Sequence, residues 1–410
     1  MSEQLFSAPG EQIIIIGAGM AGGWAAVTLR QSGFAGRILL LGDEAERPYD
    51  RPPLSKTVLT LAEEPAPAYF HAVERYGELN IDFQGGARVE AIDRTAGRVR
   101  LASGKSEPYD KLLLATGARP RALPIPGGQH ALLLRTWDDA RRIRAALAGA
   151  KQVICIGAGV IGLEVASSAH QRGAGVTVLE AAPSAMGRAL SAEGASYMEG
   201  LHRAAGIILR FNQGVMGIER HAGGYRVNLA DGTSLEGDLV LAGIGVVRNT
   251  ELATEAGLTV ENGIVVNDRA QTSDPAIFAA GDVTAFPHPL FGRVLRLETW
   301  RHAQNHAIAA AKAMCGDATP YDDMPWFWTD QLGVNLQVAG LPADATLTIL
   351  RSGKDFAAVH LDADGVVIGV TAANNPREIR AGMGLMKARV KADQEKLADP
   401  AVGLQTLISR

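Results

Sequence analysis

Two sets of glycines have the spacing of a loop that binds the phosphates of a dinucleotide. The first GxGxxG motif comprises Gly17, Gly19 and Gly22, and the second comprises Gly157, Gly159 and Gly162. In such a loop the first glycine permits a tight turn, the second leaves room for the pyrophosphate, and the third lets the helix approach the strand. A chain with 47 glycines in 410 residues can match this motif once by chance. The motifs therefore indicate chemistry only if a strand and a helix surround them.

The sequence around each motif predicts those two elements. Residues 13–16 are four isoleucines, which favour a buried strand, and residues 151–156 (KQVICI) repeat the pattern. A helical run follows each loop, so that its N-terminus would face the phosphates. The run of residues 13–29 carries no charge, but it is too short to span a membrane and lacks the basic start of a signal peptide.

An acidic residue is expected at the end of the next strand of each unit, where it would bind the adenosine ribose. In the second unit the strand at residues 176–179 runs directly into Glu180. In the first unit Gly42 takes the equivalent place after residues 37–41, and Asp43 and Glu44 follow it. Either of these two carboxylates could bind the first ribose.

Composition and charge exclude several classes of protein. The length suits two or three domains, and the net charge of -4 argues against general binding of nucleic acids or of anionic membranes. The two cysteines, Cys155 and Cys315, form no CxxC pair. A disulfide framework, a thiolate metal site and a redox-active dithiol are therefore not expected. We expect a cytoplasmic protein.

A proline-rich segment at residues 47–56 (RPYDRPPLSK) is predicted to be a stiff loop that ends in a helix start at Ser55. It could be a simple surface turn. It could also form a rigid wall against a cofactor ring, with Lys56 as a fixed cation.

The chain contains an internal repeat. Residues 81–117 and 207–245 each predict a three-strand meander followed by a return strand that ends in small residues. Ile92 aligns with Ile218, and residues 112–117 align with 239–243. One chain with two such units predicts two bound dinucleotides.

Two later features allow more than one interpretation. Asp282 follows an apolar strand and could cap a helix or accept a hydrogen bond from a cofactor hydroxyl. His302 and His306 stand at i and i+4 on a predicted helix at residues 297–314, but no further metal ligand is evident, so a metal is not expected. Both interpretations of Asp282 stay open.

From residue 325 an antiparallel sheet is predicted, with strands at 336–340, 346–351, 357–362 and 366–370, followed by a helical region near the C-terminus. Trp326 and Trp328 flank Phe327, and we expect one tryptophan in the core and the other at the surface. A basic run on the last helix, with Arg377 and Lys387 among its members, is interpreted as a solvated face.

Taken together, these motifs resemble those of the FAD-dependent ferredoxin reductases of bacterial oxygenase systems. This family includes the reductases of aromatic-ring-hydroxylating dioxygenases and putidaredoxin reductase. The residues that carry the resemblance are GAGMAG, GDEAERPYDRPPLSK, LLLATGARPR, GAGVIGLEVA, SDPAIFAAGDV, ETWRHAQNH and PWFWTDQ, and they cover nearly the whole chain. RPPLSK and PWFWxDQ are the most specific.

The resemblance implies an α/β fold with two glutathione-reductase-like Rossmann-type domains and a C-terminal α+β domain. It assigns residues 1–120 and 247–324 to FAD binding, 121–246 to NADH binding and 325–410 to the C-terminal domain. The implied FAD residues are Gly17, Ala18, Gly19, Ala21, Gly22, Asp43, Glu44, Arg51, Pro52, Lys56, Val89, Ala115, Thr116, Gly117, Arg135, Gly281, Asp282 and Trp300. The implied NADH residues are Gly157, Gly159, Val160, Ile161, Gly162, Glu164, Glu180, Arg188, Gly243, Ile244 and Gly245.

The resemblance also implies that Lys56 and Glu164 form the catalytic pair near flavin N5 and the nicotinamide. There the cation would stabilise negative charge on the reduced flavin. Alternatively, Glu164 could be a first-turn acid favoured by the helix dipole. Glu180 would favour NADH over NADPH, because a carboxylate repels a 2′-phosphate.

The implied function is electron transfer from NADH through FAD to a 2Fe–2S ferredoxin, of Rieske or putidaredoxin type, that supplies an oxygenase in the catabolism of aromatic compounds. Two alternatives stay open: a rubredoxin or quinone reductase, and an NADH-sensing protein similar to apoptosis-inducing factor. No cysteine lies between Asp43 and Lys56, which argues against a disulfide reductase or a peroxidase of this superfamily. The sequence leaves monomer and homodimer open.

Overall fold

The computed structural model of the chain describes residues 10–351, 353, 355–391 and 393–408. In chain order its strands are β1 Gln12–Ile16, β2 Arg37–Leu41, β3 Ile81–Gln84, β4 Val89–Asp93, β5 Arg98–Leu101, β6 Ser106–Pro108, β7 Lys111–Leu114, β8 Ala118–Pro120, β9 Gln152–Ile156, β10 Gly175–Leu179, β11 Ile208–Arg210, β12 Val215–His221, β13 Gly224–Leu229, β14 Ser234–Gly237, β15 Leu239–Ala242, β16 Val246–Arg248, β17 Ile264–Val265, β18 Ile277–Ala279, β19 Thr284–His288, β20 Arg293–Leu295, β21 Trp326–Gln331, β22 Val334–Gly340, β23 Leu347–Leu350, β24 Ala357–Leu361 and β25 Val367–Ala373.

The helices are α1 Met20–Gln31, α2 Thr57–Thr60, α3 Val73–Glu78, α4 Trp137–Leu147, α5 Val160–Gln171, α6 Ala192–Ala204, α7 Glu251–Glu255, α8 Trp300–Met314, α9 Pro376–Lys387 and α10 Gln394–Ala398. Short 3₁₀ helices occupy Pro52–Ser55, Gly128–His130, Pro342–Asp344 and Leu404–Leu407.

The described residues pack into two compact units. The first contains Pro67–Arg119 and Val247–Asp323 with the described part of Met1–Asp50. The second contains Arg51–Ala66 and Pro120–Val246 with the described part of Met324–Arg410. These units are defined by how the residues pack, whereas the domains predicted from the sequence are defined by the ligand that each would bind. The assignment of FAD and NADH to domains therefore stays a prediction.

The first unit is built on a parallel sheet of order β18-β7-β1-β2-β3. Its central strands are buried along almost their whole length, as expected for a parallel sheet covered on both faces. Helices α1 and α8 pack against each other and contribute alanines to the same core. The uncharged run of residues 13–29 thus divides into β1 and α1. No helix in the described ranges is both long and apolar enough to cross a membrane.

The second unit repeats this plan with a parallel sheet of order β11-β10-β9-β15. Each unit also carries an antiparallel meander, β4-β5-β6 in the first and β12-β13-β14 in the second. A bulge interrupts both meanders at matching places, between Val89 and Ala91 and between Val215 and Gly217. The internal repeat and the predicted α/β class are therefore confirmed.

The second unit also contains the predicted C-terminal antiparallel sheet, of order β21-β22-β25-β24-β23, with α9 packed on β25. The expectation of one buried and one surface tryptophan is wrong. Residues two apart in a strand point to the same face. Accordingly the rings of Trp326 and Trp328 stack with centroids 5.3 Å apart, and both are half-buried.

The proline-rich segment is more helical than predicted. A 3₁₀ helix begins at Pro52, and α2 begins at Thr57 rather than at Ser55. Proline is compatible with the first turn of a helix, because its fixed φ is close to the helical value and its missing N–H would be unpaired there.

Candidate functional site

The first glycine loop is closed by backbone that leaves no room for side chains. Gly17 has a φ of +108°, and a Cβ at this position would lie 2.2 Å from the carbonyl oxygen of Ala115. A Cβ on Gly22 would lie 1.8 Å from the carbonyl oxygen of Gly17. The amide of Gly17 donates to the oxygen of Leu41 at 2.8 Å, which fixes the turn after β1. Glycine is therefore required by the turn itself.

The second glycine loop has the same geometry. Gly157 has a φ of +103°, and its Cβ would lie 2.5 Å from the oxygen of Gly243. A Cβ on Gly162 would lie 2.0 Å from the oxygen of Gly157. The Gly157 amide donates to the oxygen of Leu179 at 2.7 Å, as Gly17 does to Leu41.

The helices that follow the two loops have N-termini without side-chain caps. Gly19 precedes α1 and Gly159 precedes α5, and neither first turn contains an acidic residue. By contrast, α4, α6 and α8 are capped by the hydroxyls of Thr136, Ser191 and Thr299. Uncapped N–H groups behind a glycine loop bind anions. The two loops therefore fit the pyrophosphates of two dinucleotides.

The carboxylate of Glu180 is oriented by backbone amides. Its Oε2 accepts a hydrogen bond from the amide of Ala158 at 2.7 Å, and its Oε1 accepts one from the amide of Ala182 at 2.8 Å. Glu180 directly follows β10, which is the place of the ribose-binding acid in a βαβ unit.

The first unit cannot hold an acid at the equivalent place. A Cβ on Gly42 would lie 2.7 Å from the Cβ of Ala18, so this position is closed to side chains. Asp43 is exposed, whereas Glu44 is half-buried and accepts a hydrogen bond from the Tyr49 hydroxyl at 2.7 Å. Both carboxylates stay candidates for the FAD ribose.

The turn after β18 packs against the start of α1. Gly281 has a φ of +81°, and its Cβ would lie 3.1 Å from the Cβ of Ala21. The Thr284 hydroxyl donates to the Gly281 oxygen at 2.8 Å and begins strand β19. Asp282 therefore precedes a strand, so it does not cap a helix that directly follows it, and its role as a cofactor ligand stays a prediction. Strands β1 and β18 belong to the same parallel sheet, and the turn that contains Asp282 lies at the edge where both strands end.

Other predicted FAD residues of the first unit occupy defined positions. Thr116 and Asn249 exchange two hydrogen bonds, from the Thr116 hydroxyl at 2.7 Å and from the Asn249 amide at 2.8 Å. The indole of Trp300 donates to the Asp50 carboxylate at 2.8 Å. Val89 is a buried residue of β4. The glycine loop, the end of β7 and the turn after β18 thus meet in one region of this unit.

In the second unit, Lys56 and Glu164 form an ion pair with 2.8 Å between Nζ and Oε1. The Glu164 side chain is 3% exposed and that of Lys56 is 19% exposed. The interpretation of Glu164 as a first-turn acid is wrong, because α5 begins at Val160 and its first turn has no acid. The side chain faces Lys56 instead.

Two hydroxyls complete the surroundings of the Glu164 carboxylate. The Ser55 hydroxyl donates to Oε2, and the Thr329 hydroxyl donates to Oε1 at 2.7 Å. Neither hydroxyl is among the site residues predicted from the sequence. The available signal was their presence in RPPLSK and PWFWTDQ, the two most specific motifs.

The remaining predicted residues of the second unit fall in two places. Gly243 lies against both Gly157 and Gly162, and the Arg188 guanidinium would be 3.3 Å from a Cβ on Gly245. The Arg51 guanidinium donates to the oxygen of Arg135 at 2.6 Å. The predicted NADH residues therefore surround the second glycine loop, whereas Arg51 and Arg135 contact each other.

His302 and His306 belong to an aromatic core. Their rings stack on each other and pack against Phe286 and Tyr321. Burial lowers the pKa of His302 to about 3 and lowers the pKa of His306 well below its ordinary value. In the described part of the chain, no group of three histidine, cysteine or acidic residues is arranged to hold a metal ion.

Two family models match the chain. The model described as pyridine nucleotide-disulphide oxidoreductase matches residues 11–307, and the model described as reductase C-terminal matches residues 326–408.

Relatives with assigned functions match over nearly the whole length. The chain is 40% identical to the ferredoxin–NAD(+) reductase component of the anthranilate 1,2-dioxygenase system of Burkholderia cepacia, covering 97% of this chain and 99% of that one. It is 37% identical to putidaredoxin reductase of Pseudomonas putida, covering 97% of each.

Solved structures agree with these relatives. The ferredoxin reductase for the CYP199A2 system of Rhodopseudomonas palustris superposes with a TM-score of 0.93 at 37% identity, covering 98% of this chain and all of that one. Putidaredoxin reductase in its covalent complex with putidaredoxin gives a TM-score of 0.92 at 37% identity, covering 98% and 99%.

Proposed function

Because the chain belongs to the pyridine nucleotide-disulphide oxidoreductase family, we propose that it is an FAD-dependent ferredoxin–NAD(+) reductase. It takes electrons from NADH and delivers them to a 2Fe–2S ferredoxin that supplies a ring-hydroxylating dioxygenase or a cytochrome P450. The observation that carries this proposal is the similarity, over 97% of the chain, to reductases of such systems. The two uncapped glycine loops support it, because they provide separate places for FAD and NADH.

The cysteines support an acceptor other than a disulfide. Thiol–disulfide exchange requires an accessible thiolate. Cys155 is buried in β9, and burial raises the pKa of its thiol to about 12. Cys315 is the other cysteine of the chain, and no cysteine lies between Asp43 and Lys56. Electrons would therefore leave to an external one-electron carrier.

In this proposal the first glycine loop serves FAD and the second glycine loop serves NADH. The loop at Gly17 would hold the FAD pyrophosphate, and Asp43 or Glu44 would bind its ribose. The loop at Gly157 would hold the NADH pyrophosphate, and Glu180 would accept hydrogen bonds from the ribose hydroxyls. The Glu180 carboxylate would repel a 2′-phosphate, which favours NADH over NADPH.

The Lys56–Glu164 pair would act at hydride transfer. Bound FAD supplies the chemistry that accepts a hydride and releases single electrons. The Lys56 ammonium would stabilise negative charge that develops on the isoalloxazine. Glu164 would hold this ammonium in place and orient the nicotinamide carboxamide. Contacts of Arg51, Pro52, Arg135, Val89 and Trp300 with FAD stay predictions.

The stacked pair Trp326 and Trp328 is the proposed contact for the ferredoxin. Aromatic side chains that are half-buried present apolar area at low entropic cost. Arg301 is less suited to this role, because it forms two hydrogen bonds with the Asp323 carboxylate, at 2.8 and 2.7 Å, and its charge is locally balanced. We expect the rate of ferredoxin reduction to fall with rising salt, because the basic run at residues 377–391 would attract an acidic ferredoxin electrostatically.

We further propose a cytoplasmic location, where NADH is produced and where free thiols such as those of Cys155 and Cys315 stay reduced. Fractionation of producing cells, with the flavin absorbance followed in each fraction, tests it.

The visible spectrum of the purified protein tests the proposed function. We expect a yellow protein whose flavin bands bleach on anaerobic addition of NADH. NADH oxidation is then compared with a 2Fe–2S ferredoxin, a rubredoxin and a quinone as acceptors. A colourless protein, or a yellow one that NADH does not reduce, would contradict the proposal, and faster turnover with rubredoxin or quinone would change the acceptor.

A further inference from the structure

A hydrogen-bond network of buried polar side chains leads away from Glu164 within the second unit. Thr329 and Gln331 lie on β21, and His202 lies on α6. Thr329 and His202 are fully buried, and Gln331 is 1% exposed. The Thr329 hydroxyl bonds Glu164 at 2.7 Å, the Gln331 amide bonds Thr329 at 2.8 Å, and His202 bonds Gln331 at 2.7 Å. Buried hydrogen-bond networks of this kind favour one arrangement of side chains.

Each donor in this network points toward the Glu164 carboxylate. Oε1 of Gln331 faces Nε2 of His202 and can only accept, so in this arrangement His202 carries its proton on Nε2. The other ring nitrogen of His202, Nδ1, has no hydrogen-bond partner among the described residues, and a proton there would be unpaired. Burial lowers the pKa of His202, so that the ring is neutral with this single N–H.

The orientation of the Gln331 amide matters, because the Thr329 hydroxyl has only one proton to donate. If the Gln331 amide turned over, its oxygen would face Thr329 and take that proton away from Glu164. Because His202 Nε2–H requires an acceptor, it selects the amide orientation in which Nε2 of Gln331 faces Thr329.

The backbone holds this arrangement in place. Gln331 pairs with Val334 across a turn in which Leu332 and Gly333 have φ values of +51° and +78°. Leu332 is an unusual residue for a left-handed conformation, and its amide donates to the Ser167 hydroxyl on α5 at 2.9 Å. The end of β21 is thus attached to the helix that carries Glu164.

We propose that His202 and Gln331 are positioning residues that act through Thr329 to orient the Glu164 carboxylate toward Lys56. This inference rests on the proposed function, in which the Lys56–Glu164 pair serves hydride transfer from NADH. It predicts that the network of Thr329, Gln331 and His202 is needed for the rate of flavin reduction rather than for NADH affinity.

The test compares variants in anaerobic stopped-flow reduction at saturating NADH. Thr329→Val should lower the reduction rate constant about tenfold, the effect of removing one hydrogen bond to a charged group, with little change in the NADH dissociation constant. Gln331→Met should lower it less, and should have no further effect in the Thr329→Val background, because its influence passes through Thr329.

The matched control is Thr371→Val. Thr371 is also fully buried on a strand of the same sheet, and its hydroxyl bonds His360 at 2.9 Å, so this change removes a comparable hydrogen bond that is not connected to Glu164. It should leave the reduction rate constant unchanged. His202→Leu should slow reduction, whereas His202→Gln, which keeps a donor, should restore it.

A second readout is independent of turnover. The infrared carboxylate band of Glu164, identified as the band lost in Glu164→Gln, should shift in Thr329→Val and His202→Leu in the oxidised protein before NADH is added. Unchanged bands, reduction as fast as in the wild type, or independent effects of Thr329→Val and Gln331→Met would overturn the inference. Failure of NADH to reduce the wild-type flavin would overturn the proposed function instead.

Discussion

Replacement of the first glycine in each loop tests which unit binds which dinucleotide. In Gly157→Ala the new Cβ would lie 2.5 Å from the Gly243 oxygen, and in Gly17→Ala it would lie 2.2 Å from the Ala115 oxygen. A real Cβ keeps about 3.2 Å from a backbone oxygen, so the loops must shift by about 0.7 and 1 Å. A displacement of this size weakens a positioned interaction on the order of 100-fold.

The two variants should lose different ligands. Gly157→Ala should stay yellow but require on the order of 100-fold more NADH for half-maximal reduction. Gly17→Ala should be purified with little or no FAD. Visible absorbance gives the FAD content, and anaerobic titration gives the NADH concentration needed for half-maximal reduction.

The chain provides a control for the backbone strain of each variant. Gly33 and Gly173 follow the same two helices, with φ values of +85° and +89°, and a Cβ on either would meet nothing within 4 Å. Gly33→Ala and Gly173→Ala should each cost about 1 kcal/mol of stability for the left-handed backbone, as the loop variants do, yet bind both dinucleotides normally. If Gly157→Ala were purified without FAD while Gly17→Ala stayed yellow and needed more NADH for reduction, the assignment of the two loops would be refuted.

Three further predictions concern single side chains. Glu180→Arg should relax or reverse the preference for NADH, measured as the ratio of kcat/KM for NADH and NADPH; an unchanged ratio would mean that the ribose contacts another residue. Lys56→Ala should slow flavin reduction while the protein stays yellow, and loss of the yellow colour would instead make Lys56 primarily a binding residue. The pKa of His302 is lowered from 6.5 to about 3, so the unfolded chain binds more protons between these values, and stability present above pH 6.5 should be lost as the pH falls. Denaturant unfolding should show a weaker dependence on pH in His302→Phe, by about 1.4 kcal/mol per pH unit in this window, and an unchanged dependence would contradict it.

Much of the architecture could be predicted because the signals are local. The isoleucine strand, the glycine loop and the helix after it are contiguous in sequence, and the second copy repeats them at the same spacing. The prediction that was wrong concerned side-chain direction, and an alternative left open for Asp282 concerned the element that follows it. Trp326 and Trp328 share a face because of the strand period, and Asp282 is followed by a strand rather than by a helix.

The sequence by itself determined the two glycine loops, because a positive φ and close backbone approach can be met only by glycine at those positions. It also determined that an acid, Glu180, directly follows strand β10 of the second unit. Only the tertiary structure decided what surrounds Glu164. Ser55 and Thr329 are separated from it by 109 and 165 residues, and no local pattern encodes a contact between side chains that meet only after the strands and helices have packed.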